Sequence, residues 1–183
     1  MVAASILPIT IHNKQLYFLF GKENELEDSA KGWSDFGGRV DNGETIFQGA
    51  LREGSEELTG FLGDEQALRS TIRKNGGFHK MTFDTYHVHA FYLPYDENLP
   101  KYYNQNHHFL WERMDKEKLN KTKLFEKIEI KWFSIDDMIN NKSEFRIFYQ
   151  EFVDEFIKHE TILKKFVNSK RHSKRYTLKN KKK

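Results

Sequence analysis

The chain has 183 residues, 38% hydrophobic and 31% charged, and its 15% aromatic content, with 16 Phe and 8 Tyr, excludes a disordered chain while its length excludes two full-sized domains. It contains no cysteine, which excludes a disulfide scaffold and thiolate-ligated zinc or iron–sulfur sites. The formal net charge of +3 is unevenly placed: eight Lys or Arg and no acid lie between Ser169 and Lys183, leaving residues 1–168 at −5.

In chain order, Ser5–Thr10 and Gln15–Gly21 are apolar runs separated by His12-Asn13-Lys14, the pattern of a strand pair joined by a turn. The polar stretch Lys22–Lys31 reads as a loop. Glu44–Thr59 reads as a helix, since Phe47, Leu51, Gly54 and Leu58 recur on one face. A second helix is expected over Asp64–Asn75, stopped by Gly76-Gly77. Phe78–Phe83 and Tyr86–Pro94 are rich in strand formers. Lys101–Leu119 is charged and aromatic with only weak helical periodicity. Lys127–Phe133 reads as a strand, and Ser134 with Asp137 three residues later as the start of a short helix. The last helix carries Phe145, Phe148, Tyr149, Phe152, Val153, Phe156 and Ile157 at a helical period, with Ser143 as its expected N-cap. Strands and helices alternate without a strict βαβ rhythm, so a mixed sheet between helices is expected.

Residues 1–168 are therefore read as one folded domain and residues 169–183 as a basic, disordered tail. A like-charge block cannot bury apolar surface; a second reading makes it an arm that holds the phosphate backbone of RNA. Met1–Thr10 has no basic residue before its short apolar run, and no stretch approaches the length of a membrane span. The expectation is a cytoplasmic or other reducing intracellular location, with no secretion and no membrane partner.

The run that carries chemistry is Trp33-Ser34-Asp35-Phe36-Gly37-Gly38-Arg39-Val40-Asp41-Asn42-Gly43-Glu44, which leads into Leu51-Arg52-Glu53-Gly54-Ser55-Glu56-Glu57-Leu58-Thr59-Gly60. At about 100° per residue, Glu56 and Glu57 lie about −60° and +40° from Glu53, so three carboxylates share one helix face. Their mutual repulsion weakens the helix unless a cation reverses its sign. All-oxygen ligation selects a hard ion, Mg²⁺ or Mn²⁺. Arg52 can reach Glu56 one turn on or Glu44 in the preceding turn.

These residues resemble the Nudix hydrolase signature, G-x5-E-x7-R-E-U-x-E-E-x-G-U with U a bulky apolar residue. Gly38, Glu44, Arg52, Glu53, Glu56 and Glu57 stand at its spacings. Gly54 replaces the first apolar residue, and the closing glycine comes one residue late, at Gly60. The resemblance implies the α/β/α Nudix sandwich and hydrolysis of a nucleoside diphosphate linked to another moiety, with Mg²⁺ or Mn²⁺ as cofactor. It implies Glu53, Glu56, Glu57 and the carbonyl of Gly38 as metal ligands, with Glu53 and Glu57 central to catalysis and Arg52 and Glu44 supporting them. A further Glu ahead of Trp132-Phe133 serves some members as base or ligand; Glu126 is preferred here over Glu129.

Arg39 is a candidate phosphate contact, and Trp33, Phe36 and Tyr86 are candidates for stacking on a base, against the ordinary core reading of aromatics beside strands. His87 and His89 share a strand face, but no third metal ligand is assigned to them. No proline falls between Gly60 and Leu93, where ADP-sugar hydrolases carry one, which leaves small nucleotides, dinucleoside polyphosphates, inositol pyrophosphates and capped RNA open. The alternative function is a non-catalytic binding module on the same fold, against which stands the full set of box carboxylates.

Overall fold

The structure is a computed structural model that describes residues 1–26, 31–122 and 124–180, with the side chains of residues 120 and 171–180 outside the description. Strands β1 (Ala3–His12) and β2 (Gln15–Glu23) form the expected hairpin. Asn13 and Lys14 turn it with φ of 47° and 66°, two left-handed residues whose twist matches that of the strands they join. β2 runs two residues into the stretch expected as a loop, and residues 27–30 of that stretch lie outside the described residues.

β1 is the hub of a mixed sheet. One edge pairs in parallel with β6 (Tyr86–Tyr92), from Ala3↔Tyr86 to Ile9↔Tyr92. Its other edge is divided: β2 takes Ile9–His12, while β4 (Phe36–Arg39) takes Ala3–Ile6. Between β1 and β2 the sheet thus splays, and β3 (Trp33–Ser34), paired with β2, leads directly into β4. β5 (Phe78–Phe83) lies outside β6, and β7 (Lys127–Ser134) pairs with the free edge of β2. All pairs except β1 with β6 are antiparallel. The α/β class and mixed sheet expected from the sequence are what the chain adopts.

Period-two alternation along the strands supplies two cores. Ala4, Ile6, Leu19, Ile130 and Trp132 meet helix α1 (Ile46–Glu57), α2 (Glu65–Lys74) and α3 (Asn98–Trp111) on one face. Leu7, Ile9, Phe18, Phe20 and Phe133 meet α5 (Ile135–Asn140), α6 (Tyr149–Lys158) and α7 (Glu160–Asn180) on the other. Each fully buried aliphatic or aromatic side chain contributes about 1.5–3 kcal/mol. The helix α4 (Lys116–Thr122) rests on a satellite cluster of Trp111, Leu119 and Phe125. Among the described residues no helix is long and apolar enough to cross a membrane.

Three local expectations change. The weakly periodic stretch holds most of α3, a turn and the start of α4; the buried stripe of α3 is Tyr103, His107 and Trp111 while Tyr102 and Phe109 face outward, and aromatic residues on both faces blur the period. Ser143 caps no long helix: it lies in a 3-10 turn, and Phe145 is extended (φ −78°, ψ 151°) because its segment bridges to Trp33, so α6 begins four residues after Phe145. The backbone of the basic segment, expected to be disordered from Ser169, continues α7 as far as Asn180, a helix anchored upstream by buried Leu163 and Val167. Residues 181–183 lie outside the described residues.

Candidate active site

α1 starts where its sequence dictates. Thr45 caps it by accepting from the Gln48 N–H, and the Gln48 side chain returns a bond to the Thr45 N–H, the reciprocal box that satisfies two otherwise orphaned donors. Leu51 and Leu58 dock the helix on β1, and Gly54 lets it sit close: a Cβ there would come 2.4 Å from Ile6 Cδ1. The departure from a bulky residue at position 54 is thus a packing feature of β1.

Arg52 gathers the acids of the box. Its Nε donates to Glu44 Oε1 at 2.9 Å, Nη1 to Glu53 Oε1 at 2.8 Å and to Glu56 Oε2 at 3.3 Å, and Nη2 to the carbonyl of Arg39 at 2.8 Å. Both partners foreseen for it, Glu44 and Glu56, are engaged. The Arg52 hydrogen bonds hold the Glu44 carboxyl below its ordinary range. Glu53 is half-buried, and loss of water around it pushes its carboxyl up despite Arg52.

The three box carboxylates stay on one helix yet diverge. Glu56 is exposed, Glu53 lies between Arg52 and Gly38, and Glu57 turns inward with only 5% of its surface exposed. Glu57 Oε2 accepts from the Gly37 N–H at 2.7 Å, and Oε1 lies 3.3 Å from the ammonium of Lys127. Burial pushes the Glu57 carboxyl well above the usual carboxylate range, with Lys127 opposing the shift. Among the described residues no three His, Asp or Glu side chains are gathered into a cation cage. Even so, the donor chemistry suits a hard cation: the Glu53 carboxylate sits against Gly38, where a Cβ would fall 2.5 Å from Glu53 Oε2, so the space it occupies depends on the glycine.

Glu126 is half-buried and lines a cleft with Ser55, Glu56, Thr59, Asp64 and Leu124 at the C-terminal end of α1. Its charge is among those that raise the Glu57 carboxyl. Glu129 pairs across the sheet with Lys22 and does not line this cleft. Arg39 is exposed at the end of β4.

Two substrate-binding candidates are corrected. Phe36 is fully buried against the α1 core and Trp33 is 3% exposed in the opposite core, edge-on to Phe133, so neither ring offers a face to a base. Tyr86 is half-buried and donates to buried Asp35 at 2.6 Å, while Ser5 donates to the other Asp35 oxygen. His87 pairs with Thr82, and His89 is buried with Nδ1 3.0 Å from the Ser5 carbonyl, which requires that nitrogen to carry the proton.

The late closing glycine also has an account. Thr59, at the position of the signature glycine, takes the left-handed conformation itself (φ 52°), followed by Gly60 at 68°. Its hydroxyl lies 3.1 Å from His107 Nε2. His107 Nδ1 donates to the Tyr103 carbonyl at 2.9 Å, so Nε2 of the neutral ring accepts from Thr59.

Lys127 and Glu23 escaped sequence reasoning altogether. Lys127 is fully buried; its ammonium donates to Glu23 and to Ser34 Oγ at 2.8 Å, and its carboxylate partners keep its pKa raised although burial opposes this. With Glu129 and Lys131 it makes an alternating charged set that reads as a solvent face. The register shift between Lys22 and Glu23 instead sets Lys127 against Glu23.

The NUDIX domain model matches residues 1–156 of the chain. A stretch of 59 residues is 44% identical to uncharacterized protein L534 of Acanthamoeba polyphaga mimivirus, covering 31% of this chain and 19% of that one. Among solved structures, an Ap4A hydrolase of C. elegans in a binary complex is 18% identical with a TM-score of 0.48, over 88% of this chain and 96% of that chain. The MutT protein of Methanosarcina mazei Go1 is 16% identical with a TM-score of 0.46, over 87% and 94%.

Proposed function

We propose that this chain, which belongs to the Nudix family, hydrolyses a pyrophosphate bond in a nucleoside diphosphate-linked substrate. The observation that carries this reading is the seat of Glu53 against Gly38, where the absent Cβ leaves the room that the carboxylate occupies. Glu53, Glu56, Glu57 and the Gly38 carbonyl would hold Mg²⁺ or Mn²⁺, which when bound neutralises phosphate charge and lowers the pKa of a water. Arg52 keeps Glu53 and Glu56 in place and is itself fixed by Glu44.

Glu126 is the preferred group outside the box to take the proton of the attacking water, supported by its place in the cleft beside Glu56. Arg39, exposed beyond Gly38, is suited to a phosphate oxygen. The basic segment favours a polyanionic substrate such as capped RNA among nucleotide-type ligands, since eight cations between Ser169 and Lys183 add a salt-sensitive attraction.

The test is a substrate panel of nucleoside triphosphates, ADP-ribose, dinucleoside polyphosphates, inositol pyrophosphates and capped RNA, assayed with Mg²⁺ or Mn²⁺ and with products identified. Cleavage of a phosphoric anhydride in a nucleotide-type substrate supports the reading. Binding of nucleotide or RNA with no cleavage of any member replaces it with the non-catalytic module.

A further inference from the structure

Lys127 enters the sheet interior at the start of β7, with its aliphatic stem lying across Gly21 of β2: a Cβ at position 21 would come 2.8 Å from Lys127 Cγ. The ammonium has three donors and three oxygen neighbours. It donates to Glu23 and to Ser34 Oγ at 2.8 Å and lies 3.3 Å from Glu57 Oε1. Glu23 is also met by Arg146 Nη1 at 3.2 Å, so its charge does not depend on Lys127 alone. Tyr103 ties the same two elements by backbone, its hydroxyl shared between the carbonyls of Glu57 (3.1 Å) and Lys127 (2.8 Å).

We propose that Lys127 is a positioning residue for the box carboxylates, a built-in cation that fixes Glu57 from the interior side. Opposing contacts define the position of Glu57: Gly37 N–H holds Oε2 and Lys127 holds Oε1. A carboxylate oxygen has two lone pairs, so each oxygen of Glu57 keeps one beyond the contact it makes here. Without Lys127, the Gly37 N–H would be the one hydrogen bond left to the Glu57 carboxylate among the described residues, and the carboxylate could swing about it. Lys127 touches no substrate; it acts through Glu57.

This inference rests on the cation-dependent reading of the site, and its test separates the two. The Glu23→Gln/Lys127→Met double variant removes one positive and one negative charge, so the net local charge is unchanged and Mn²⁺ affinity reports the placement of Glu57. Titration calorimetry with Mn²⁺ alone is expected to give at least a tenfold weaker Kd for the double variant and a Kd within threefold of wild type for Glu23→Gln. A double variant that keeps its fold by circular dichroism and binds Mn²⁺ like wild type overturns the positioning role alone. A wild-type protein that binds no Mn²⁺ removes this inference and the cation-dependent reading together. Because emptying a fully buried position can itself unfold the chain, the intact protein supplies a second readout. A lysine ammonium protected from exchange, seen by ¹H–¹⁵N spectroscopy and shifting on addition of Mg²⁺, is expected; no protected ammonium, or one that does not respond to Mg²⁺, overturns the role.

Discussion

Arg52 and Glu44, eight residues apart, meet as a two-pronged pair, with Nε on Oε1 at 2.9 Å and Nη2 on Oε2 at 3.2 Å. The pair joins the loop after β4 to the second turn of α1 and leaves Arg52 Nη1 for Glu53 and Glu56. Replacing Glu44 by Gln is expected to lower stability by about 1 kcal/mol, the scale of a charge-assisted pair that water partly screens. The Glu44 carboxyl is held below its ordinary value, chiefly by the Arg52 hydrogen bond, so its contribution is present above the unfolded pKa of ~4.3 and is lost as pH falls through the lower folded value. Urea unfolding of wild type and Glu44→Gln should therefore differ at pH 7 and converge toward pH 3.

Adjacent glycines 37 and 38 should respond differently to alanine. A Cβ at 38 meets the far end of the Glu53 side chain at 2.5 Å, which can swing aside, whereas a Cβ at 37 meets Ala4 O at 2.4 Å and Ser5 Cα at 2.5 Å. Gly38→Ala is expected to cost about 1 kcal/mol or less of stability and to cut hydrolysis at least tenfold, by displacing Glu53. Gly37→Ala is expected to destabilise by about 2–4 kcal/mol, since the sheet pairing itself must yield. Thermal melts with parallel rate measurements separate the two.

At Gly54, helix propensity and packing oppose each other. Alanine gains about 1 kcal/mol in an exposed helix, but here its Cβ would come 2.4 Å from Ile6 Cδ1 and 2.5 Å from Cγ1. Overpacking costs roughly 1–3 kcal/mol, so Gly54→Ala should be neutral to destabilising, and Ile6→Val, which removes the Cδ1 atom but keeps Cγ1, should recover only part of the loss in the double variant. A melting temperature of Gly54→Ala well above wild type would show that α1 does not need the close approach.

His107 gives the fold a pH dependence of known sign. Burial pushes its imidazole down to about 4, and the ring is stacked on Tyr103 at 3.7 Å. The unfolded chain takes up a proton near pH ~6.5 that the folded chain refuses, so stability falls as pH drops from ~6.5 toward the folded value. Denaturant unfolding between pH 7 and pH 4 should show a steeper loss for wild type than for His107→Gln, whose side chain does not titrate.

The fold was legible from two kinds of signal: β1 and β2 stand out as apolar runs because both of their faces are buried, and α1 and α2 as periodic segments because one face is buried and the other wet. These four elements and β5 emerge within two or three residues of their observed bounds. α3 was obscured by aromatics on both sides, and the start of α6 by the bridge of Phe145 to Trp33, a tertiary contact with no local signal. The box was legible from spacing alone, but the directions of its carboxylates were not. Helix geometry places Glu53, Glu56 and Glu57 near one another; Lys127, more than 60 residues away, turns Glu57 inward. Trp33 and Phe36 flank the box, but their burial in the two cores is set by tertiary packing that their neighbours in sequence do not signal.

Glu53, seated against Gly38, is expected to make anhydride cleavage depend on a divalent cation. The most direct test is the Mg²⁺ dependence of product release from the best panel substrate, comparing wild type with Glu53→Gln. Release is expected to rise with Mg²⁺, to stop when the ion is chelated, and to fall at least a hundredfold in a folded Glu53→Gln variant. Release that persists under chelation, or that is undiminished in Glu53→Gln, would contradict it.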